Sequence, residues 1–210
     1  MLRAQLARYI VAFALLYSLS GCSQWSIDVS SESNVQQRAL QQKLVDQRVG
    51  QLAHVNNWEL VGRFSLVTES EAWSGRIYWR QLQNNFLIQF NAPSGQGAVQ
   101  LSGNDDGVEM MLANGDSYQA KDADTLLRQE TTWDLPVSRL WFWLRGLPVP
   151  QLAYRIQSDD LGQISELVQD QWLVEYKDYQ QYGSYHFPRK IFIKNKDTKV
   201  RVIVTNWAFS

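Results

Sequence analysis

The chain has 210 residues, with 20 lysines and arginines against 21 aspartates and glutamates, a formal net charge of −1. This balance leaves no basic excess and argues against nucleic acid as a partner. A single cysteine excludes a disulfide within the chain, and 9 tryptophans, 9 tyrosines and 8 phenylalanines indicate either a thick core or a surface that handles apolar ligands.

The first 21 residues predict a signal peptide. Arg3 and Arg8 make a positive start, and residues 9–19 are apolar but shorter than the roughly 20 residues that span a bilayer. The exit, Leu19-Ser20-Gly21-Cys22, resembles the lipobox of bacterial lipoproteins. In those proteins the cysteine thiol takes up diacylglycerol, the peptide is cut before it, and the new amino group is acylated.

The resemblance implies that Cys22 is the lipid-attachment residue. An ordinary secretory signal with a nearby cysteine is the alternative, but a lone cysteine in an exported chain tends to pair between molecules. Ser23, in place of aspartate, implies onward sorting to the outer membrane. Removing residues 1–21 removes two arginines and no acid, so the net charge of the mature chain becomes −3.

The next segments are a tether and a helix. Residues 22–34 are predicted as the acylated cysteine and a flexible polar tether, and residues 35–210 as one folded domain. An amphipathic helix is predicted from Val35 to about Val55, because apolar residues recur at helical spacing between polar ones. Its buried stripe would consist of Leu40, Leu44, Val49 and Leu52.

After residue 57 the apolar period changes to two, which predicts β-strands. Five strands and a short sixth at Tyr118 are expected before residue 120, with turns at the Asn-Asn and Asn-Gly pairs between them. Neighbouring strand residues point to opposite faces, so only one of Met110 and Met111 can face inward. The five strands fall at residues 58–66, 73–79, 86–90, 99–101 and 108–112.

A helical interruption follows. Asp122 or Asp124 can cap a helix that runs to about Trp133, and Pro136 opens another that ends at Gly146. Strand patterns return at residues 154–157, 163–169, 172–177, 189–194 and 199–207. The prediction is a mainly β fold with α: an open, unclosed antiparallel β-barrel of about eleven strands. An N-terminal helix and a helical lid complete it, with a hydrophobic cavity inside.

These motifs, in this order, resemble the LolB family of outer-membrane lipoprotein insertion receptors over essentially the whole chain. No single motif is decisive, but their order and spacing are hard to obtain by chance. They are the lipobox, the first-strand residues Trp58, Gly62, Arg63 and Ser65, the W-S-G-x-I-x-W run at 73–79, the Pro-x-Gly turn at 93–95, the L-x-x-W-x-x-G-x-P run at 140–148, and Asn206-Trp207.

The resemblance implies a receptor that is lipid-anchored on the periplasmic face of the outer membrane of a Gram-negative bacterium. It would accept triacylated lipoproteins from the soluble periplasmic carrier, LolA, and place them in the inner leaflet. Its partners would be a LolA-like carrier, these lipoproteins and outer-membrane phospholipid. No phosphate-binding loop suggests ATP use, no cofactor is expected, and the protein is expected to be a monomer.

The cavity is expected to be lined by inward residues of the sheet and of the helical region. The alternative for each is that it packs the helices onto the sheet. The candidates are Phe64, Leu66, Ile77, Trp79, Ile88, Phe90, Leu101, Met110 and Leu112 from the sheet, and Leu140, Trp143, Leu144 and Leu147 from the helical region.

The turn at Pro93, Ser94 and Gly95 matches a protruding loop that, in the family, carries an exposed leucine implicated in pushing cargo into the membrane. Here Ser94 stands at that position. A serine contributes little to entering an apolar phase, so loop-driven insertion is in doubt, and a plain Pro-Gly turn is the alternative.

Enzymatic interpretations find little support in the sequence. His54 and His186 lack metal-ligand spacing, no G-x-S-x-G elbow occurs, and the acidic pairs 105–106 and 159–160 are typical of turns. Arg63, Arg76 and Arg80 predict a solvent-facing row; the alternative is that one of them lies near the cavity mouth and meets the acidic carrier or a lipid headgroup. Two rival functions remain: a structural lipoprotein with a filled core, and a hydrolase of lipid or glycan.

Overall fold

An eleven-stranded antiparallel sheet dominates the structure, a computed structural model that describes residues 29–93 and 97–209, with side chains from residue 35. The order β6-β5-β4-β3-β2-β1-β11-β10-β9-β8-β7 leaves β6 and β7 as unpaired edges, so the predicted open antiparallel sheet is confirmed. The strands are β1 Asn57–Val67, β2 Ala72–Leu82, β3 Asn85–Asn91, β4 Ala98–Asn104, β5 Gly107–Leu112, β6 Ser117–Ala120, β7 Tyr154–Ser158, β8 Ile164–Gln169, β9 Trp172–Tyr182, β10 Tyr185–Lys194 and β11 Lys199–Phe209.

Three helices occur in the described part of the chain: α1 Val29–Ala53, α2 Ala123–Glu130 and α3 Val137–Trp143. The described residues from 39 onward form one compact unit, to which residues 29–38 do not belong. The packing described below is that of residues 39–209. The helices α2 and α3, with the segment between them, are called the lid below.

The sheet buries one face, as its alternating sequence predicts. Along β1 the side chains of Leu60, Phe64 and Leu66 are buried while their neighbours are exposed or half-buried. Met110 is fully buried and Met111 is 44% exposed, so the inward methionine is Met110. The buried face of the sheet packs against the lid and against the C-terminal half of α1 to form a single core.

Glycines allow close strand approach where the sheet bends. A Cβ atom at Gly62 would lie 2.6 Å from the Ile203 carbonyl oxygen, at a bulge where the β1–β11 register shifts after Val61. A Cβ atom at Gly75 would lie 2.2 Å from the Asn91 carbonyl oxygen, across the β2–β3 pair. Both glycines belong to the motifs on which the family resemblance rests, and the close contacts explain why no side chain fits there.

We expect Gly75→Ala to lower the free energy of unfolding by about 2 kcal/mol, because the new methyl group must displace backbone. Gly50→Ala is the matched control, since nothing lies within 4 Å of a Cβ there and alanine favours the helix; it should raise stability by up to about 1 kcal/mol. Urea unfolding followed by tryptophan fluorescence measures both. An unchanged Gly75→Ala midpoint would contradict the tight β2–β3 approach.

The predicted ends of α2 and α3 are confirmed except at one point. Asp122 caps α2 by accepting a 2.7 Å hydrogen bond from the Thr125 amide. Gly146, at φ +73°, ends α3 in a Schellman arrangement, with the Leu147 amide donating to the Phe142 carbonyl. The helix α2 stops at Glu130 rather than near Trp133, because Thr131 becomes extended while its amide and hydroxyl both donate to the Leu127 carbonyl.

The helix α1 differs from its prediction at both its start and its stripe. It begins at Val29, inside the segment predicted as tether, although residues 29–34 are mostly Ser, Val and Asn, which have low helix propensity. Leu40 is 58% exposed, whereas Val45, absent from the predicted stripe, is fully buried. Val45 and Leu52 are the buried residues of this row, and Leu44, Arg48 and Val49 are half-buried beside them.

The β9–β10 hairpin is longer than predicted. It reaches Tyr182 and Tyr185 although Pro188 interrupts the apolar alternation and Asp178 has φ +62°. At that irregularity Asp178 binds Arg189 at 2.8 Å and Lys190 at 3.2 Å, which stabilises a kink that sequence periodicity does not reveal. Arg189 and Lys190 also line a groove described below.

Candidate functional site

A cleft of about 460 Å³ opens between the inner face of the sheet and the lid. A volume of this size is typical of small-ligand pockets. Strands β2 to β5 contribute its floor, and the start of α2 together with α3 forms its roof. The lining residues are Trp79, Gln81, Gln83, Asn84, Phe86, Asn104, Asp105, Val108, Lys121, Asp122, Ala123, Asp124, Val137, Ser138, Trp141 and Phe142.

The depth of this cleft is apolar and its rim is polar. Trp79 and Val108 are buried floor residues that belong to the hydrophobic core, and Phe86 packs partly exposed against that core. The rings of Trp141 and Phe142 meet edge to face with centroids 4.5 Å apart. Charged groups such as Lys121 and Asp105 lie in exposed turns at the mouth. An aliphatic chain with a polar end fits this distribution.

Behind the cleft, the lid closes on aromatic rings. Trp133, between α2 and α3, is buried, and its ring centroid lies 5.5 Å from that of Phe90 and 6.1 Å from that of Phe64. The half-buried Trp73 completes this group at 5.3 Å from Trp133. Trp133 therefore packs the lid onto the inner face of the sheet.

Exposed polar contacts hold the outer parts of the lid. The Thr132 hydroxyl donates to the Glu71 carboxylate at the β1–β2 turn, and Arg139 binds Asp170 at 2.9 Å. Exposed ion pairs contribute roughly 0 to 1 kcal/mol each. These contacts can break at little cost in free energy.

The other end of the lid is firmly fixed. Gln169, which is fully buried, accepts from Trp143 Nε1 at 3.1 Å and from the Val149 amide at 2.9 Å, and its amide donates to the Val149 carbonyl at 2.8 Å. Arg145, also fully buried, donates to the Val55 and Trp141 carbonyls at 2.8 and 3.0 Å. Burial lowers the pKa of Arg145 to about 10, so the guanidinium stays charged at neutral pH.

Comparison with known proteins identifies the family. The family model described as "Outer membrane lipoprotein LolB" matches residues 56–207. An outer-membrane lipoprotein LolB of Pseudomonas fluorescens is 30% identical over 202 residues, covering 95% of both chains, and one of Pseudomonas putida is 30% identical over 200 residues with the same coverage. The chain belongs to the LolB family.

LolB membership agrees with the fold and with the expected localisation at the outer membrane, where the family description places its lipoproteins. A solved DUF1329-family protein from Desulfovibrio piger has the same fold, with a TM-score of 0.52 at 8% identity, covering 82% of this chain and 92% of that one.

Across the described residues, none of the helices has the length and apolarity required to cross a membrane. Nor do the described histidines and acids come together in threes as a metal site would require.

The residues predicted to line a LolB cavity lie in the core between sheet and lid. Twelve of the thirteen are at most 2% exposed, and Leu112 is half-buried. Only Trp79 among them reaches the 460 Å³ cleft. Their contact with acyl chains stays a prediction, and it requires the lid to move.

The remaining predicted sites fall in three places. Cys22, Ser94 and Gly95 lie outside the described residues, and Pro93 is exposed. Arg63, Arg76 and Arg80 are exposed on the outer face of the sheet, on the side opposite the cleft. The acidic pairs belong to turns: the Asp159 carboxylate, for example, accepts from the Leu161 and Gln163 amides at 2.9 and 2.8 Å.

Among the residues predicted for the cavity, the sequence finds only one that lines this cleft, Trp79. It predicts Phe86 as a strand residue and Trp133 and Trp141 as residues of the helical region, and assigns none of them to the site. The alternation of Phe86 with Ile88 does place it on the inner face. The position of Trp133 depends on how the segment between two helices folds back, which no local period encodes.

Proposed function

We propose that this LolB-family protein is a receptor for the acyl chains of lipoproteins. It accepts triacylated lipoproteins from a LolA-like periplasmic carrier and inserts them into the inner leaflet of the outer membrane without ATP. Cys22 carries its own lipid anchor. The protein acts by binding, as a monomer and without a cofactor.

One observation carries this proposal: an apolar cleft lies between the sheet and a lid whose outer parts are held by weak exposed contacts. Each CH₂ group of an acyl chain removed from water contributes about 0.8 kcal/mol, so acyl chains need a protein shelter to cross the periplasm. The buried aromatic and aliphatic side chains behind the cleft supply such a shelter once Trp133 lifts away.

The proposal predicts transfer down a gradient of affinity. The bilayer must bind acyl chains more tightly than the receptor, and the receptor more tightly than the carrier. A closed, packed interior weakens acyl-chain binding by the receptor relative to the bilayer. Part of the free energy gained by burying the chains is used to separate the lid from the sheet, whereas insertion into the bilayer requires no such separation.

Titration with a fluorescent fatty acid tests the acyl-binding step. We expect saturable binding with one limiting stoichiometry and displacement by unlabelled fatty acid. A structural lipoprotein with a filled core would give no saturation. A hydrolase would cleave phospholipid or glycan substrates, and loss of that cleavage after replacing the acidic pairs at 105–106 and 159–160 would favour it.

Phe86→Glu should weaken fatty-acid binding at least about tenfold, because it introduces a carboxylate into the apolar wall of the cleft. Leu87→Glu is the matched control. Leu87 is the next residue on the same strand, also half-buried, but it points to the outer face. Equilibrium titration of both variants, with urea unfolding to confirm that they fold, measures the difference. Equal affinities would show that acyl chains do not enter through this cleft.

A further inference from the structure

A groove of about 610 Å³ crosses the outer face of the sheet, on the side opposite the lid. It runs over strands β2, β1, β11 and β10. Five cationic side chains line it, and none of its described lining residues is acidic. The cations are Arg63, Arg76, Arg189, Lys190 and Arg201.

Three of these cations have no acidic partner within the described part of the chain. Arg189 and Lys190 share Asp178, at 2.8 and 3.2 Å. No described carboxylate lies within ion-pair distance of Arg63, Arg76 or Arg201. The groove therefore carries a surplus of positive charge on a chain whose mature net charge is −3.

The strand register concentrates this charge. Arg63 lies directly opposite Arg76 in the β1–β2 pair, and Arg201 lies opposite Ser65, two residues along β1. Like charges directly opposite each other destabilise an antiparallel pair. A sheet that keeps two arginines in register gains stability when an anion binds between them.

The chemistry of the groove suits phosphate. Ser65 and Ser74 lie opposite each other on its floor and offer hydroxyl donors between the guanidinium groups. Guanidinium groups bind phosphate oxygens in bidentate fashion. Ile203 gives the floor an apolar element between Arg63 on one side and Lys190 on the other. A phospholipid headgroup carries phosphate oxygens beside aliphatic glycerol carbons, which suit the guanidinium and hydroxyl donors and the apolar side chain of Ile203, respectively.

We propose that this outer-face groove binds the phosphate of anionic phospholipid headgroups and orients the anchored domain on the membrane. Charge complementarity selects this occupant, and the family's outer-membrane location keeps such headgroups within reach. Pro93, the first residue of the Pro-x-Gly turn, borders the groove. This inference rests on the proposed lipid anchor but not on acyl-chain transfer.

The test uses the acylated protein reconstituted in vesicles. Because Cys22 is the only cysteine and is blocked by lipid, Asn91→Cys supplies a single thiol beside Arg76 for a fluorescent donor. Energy transfer to a headgroup-labelled lipid then reports how closely the groove approaches the bilayer. Labelling of the parent chain, which should fail, checks that Cys22 is blocked.

We expect energy transfer to rise when phosphatidylglycerol replaces part of the phosphatidylcholine, and to fall again in about 1 M salt, where screening shortens to about 3 Å. Replacing Arg63, Arg76 and Arg201 by glutamine should reduce the docked-to-undocked ratio roughly 100-fold. The control variant replaces Lys43, Arg80 and Arg155, which are exposed outside the groove, by glutamine and should dock normally.

Three results would overturn the proposal: energy transfer independent of phosphatidylglycerol, equal losses in the two triple variants, or normal docking of the groove variant. If the groove variant docked normally but no longer bound the loaded carrier, the groove would be a protein interface instead. Fatty-acid affinity should be unchanged in the groove variant, so failure of this proposal is distinguishable from failure of the proposed receptor function.

Discussion

Arg145→Met should lower the free energy of unfolding by about 3 kcal/mol. The guanidinium is fully buried and donates to three backbone carbonyls: Trp141 at 3.0 Å, Val55 at 2.8 Å and Leu52 at 3.4 Å. Leu52 lies in the last turn of α1 and Val55 follows its end, where backbone acceptors lack helical partners. Methionine keeps the apolar volume over the Trp141 ring but donates to none of these carbonyls, of which only that of Leu52 has another donor, the Val55 amide at 3.1 Å.

The magnitude follows from competing effects. Hydrogen bonds to a charged group contribute about 1.5 to 3 kcal/mol each, and an unsatisfied buried acceptor costs about 1 to 3 kcal/mol. Desolvation opposes them, as the lowered pKa of Arg145 shows. We expect the hydrogen bonds to dominate, because the guanidinium also stacks 3.7 Å from the Trp141 ring centroid.

Arg139→Met, in α3 six residues before Arg145, provides the comparison. Arg139 forms an exposed ion pair with Asp170, so its loss should change stability by at most about 1 kcal/mol. Urea unfolding at neutral pH measures both variants. If Arg145→Met matched Arg139→Met, desolvation would cancel the hydrogen bonds, and Arg145 would not fix the lid to the end of α1.

Cys22→Ala should remove the protein from the outer membrane while leaving cargo acceptance in vitro intact. A single acyl chain gives only reversible membrane binding, and several chains on one residue give stable anchoring. The folded unit that carries the cleft begins at residue 39, so the anchor and the acceptor site are separate in sequence. Delivery in cells should then be mislocalised.

Membrane fractionation with labelled fatty acid measures the anchor, and transfer from loaded carrier measures acceptance. Ser23→Ala is the matched control and should remain acylated and membrane-bound. A Cys22→Ala variant that still incorporated the labelled fatty acid and stayed in the outer membrane would contradict acylation at Cys22. Loss of acceptance in vitro would contradict a separable tether.

The sheet was predictable because its signal is local. Alternation along Leu60, Phe64 and Leu66 places one face inward regardless of distant contacts, and the same rule separates Met110 from Met111. The cap at Asp122 and the stop at Gly146 depend on single residues with a known backbone role. The alternation accounts for the correctly predicted number of strands, and the cap and stop residues account for the predicted helices of the lid.

The site was less predictable because it depends on non-local packing. A charged residue such as Arg145 is expected at the surface, and its burial becomes possible only when the end of α1 brings carbonyls to it. The cationic groove likewise requires the β1–β11 pairing of strands more than 130 residues apart in the sequence. The sequence shows Arg63 and Arg201, but not that they share one groove.

The central claim is that the interior between sheet and lid shelters acyl chains in transit. Its most direct test mixes the protein, without its own lipid, with a LolA-like carrier loaded with a radiolabelled lipoprotein, and separates the two after incubation. The account predicts that the lipoprotein moves to the protein without ATP, and that Phe86→Glu reduces this movement while Leu87→Glu does not. A lipoprotein that stays on the carrier would contradict it.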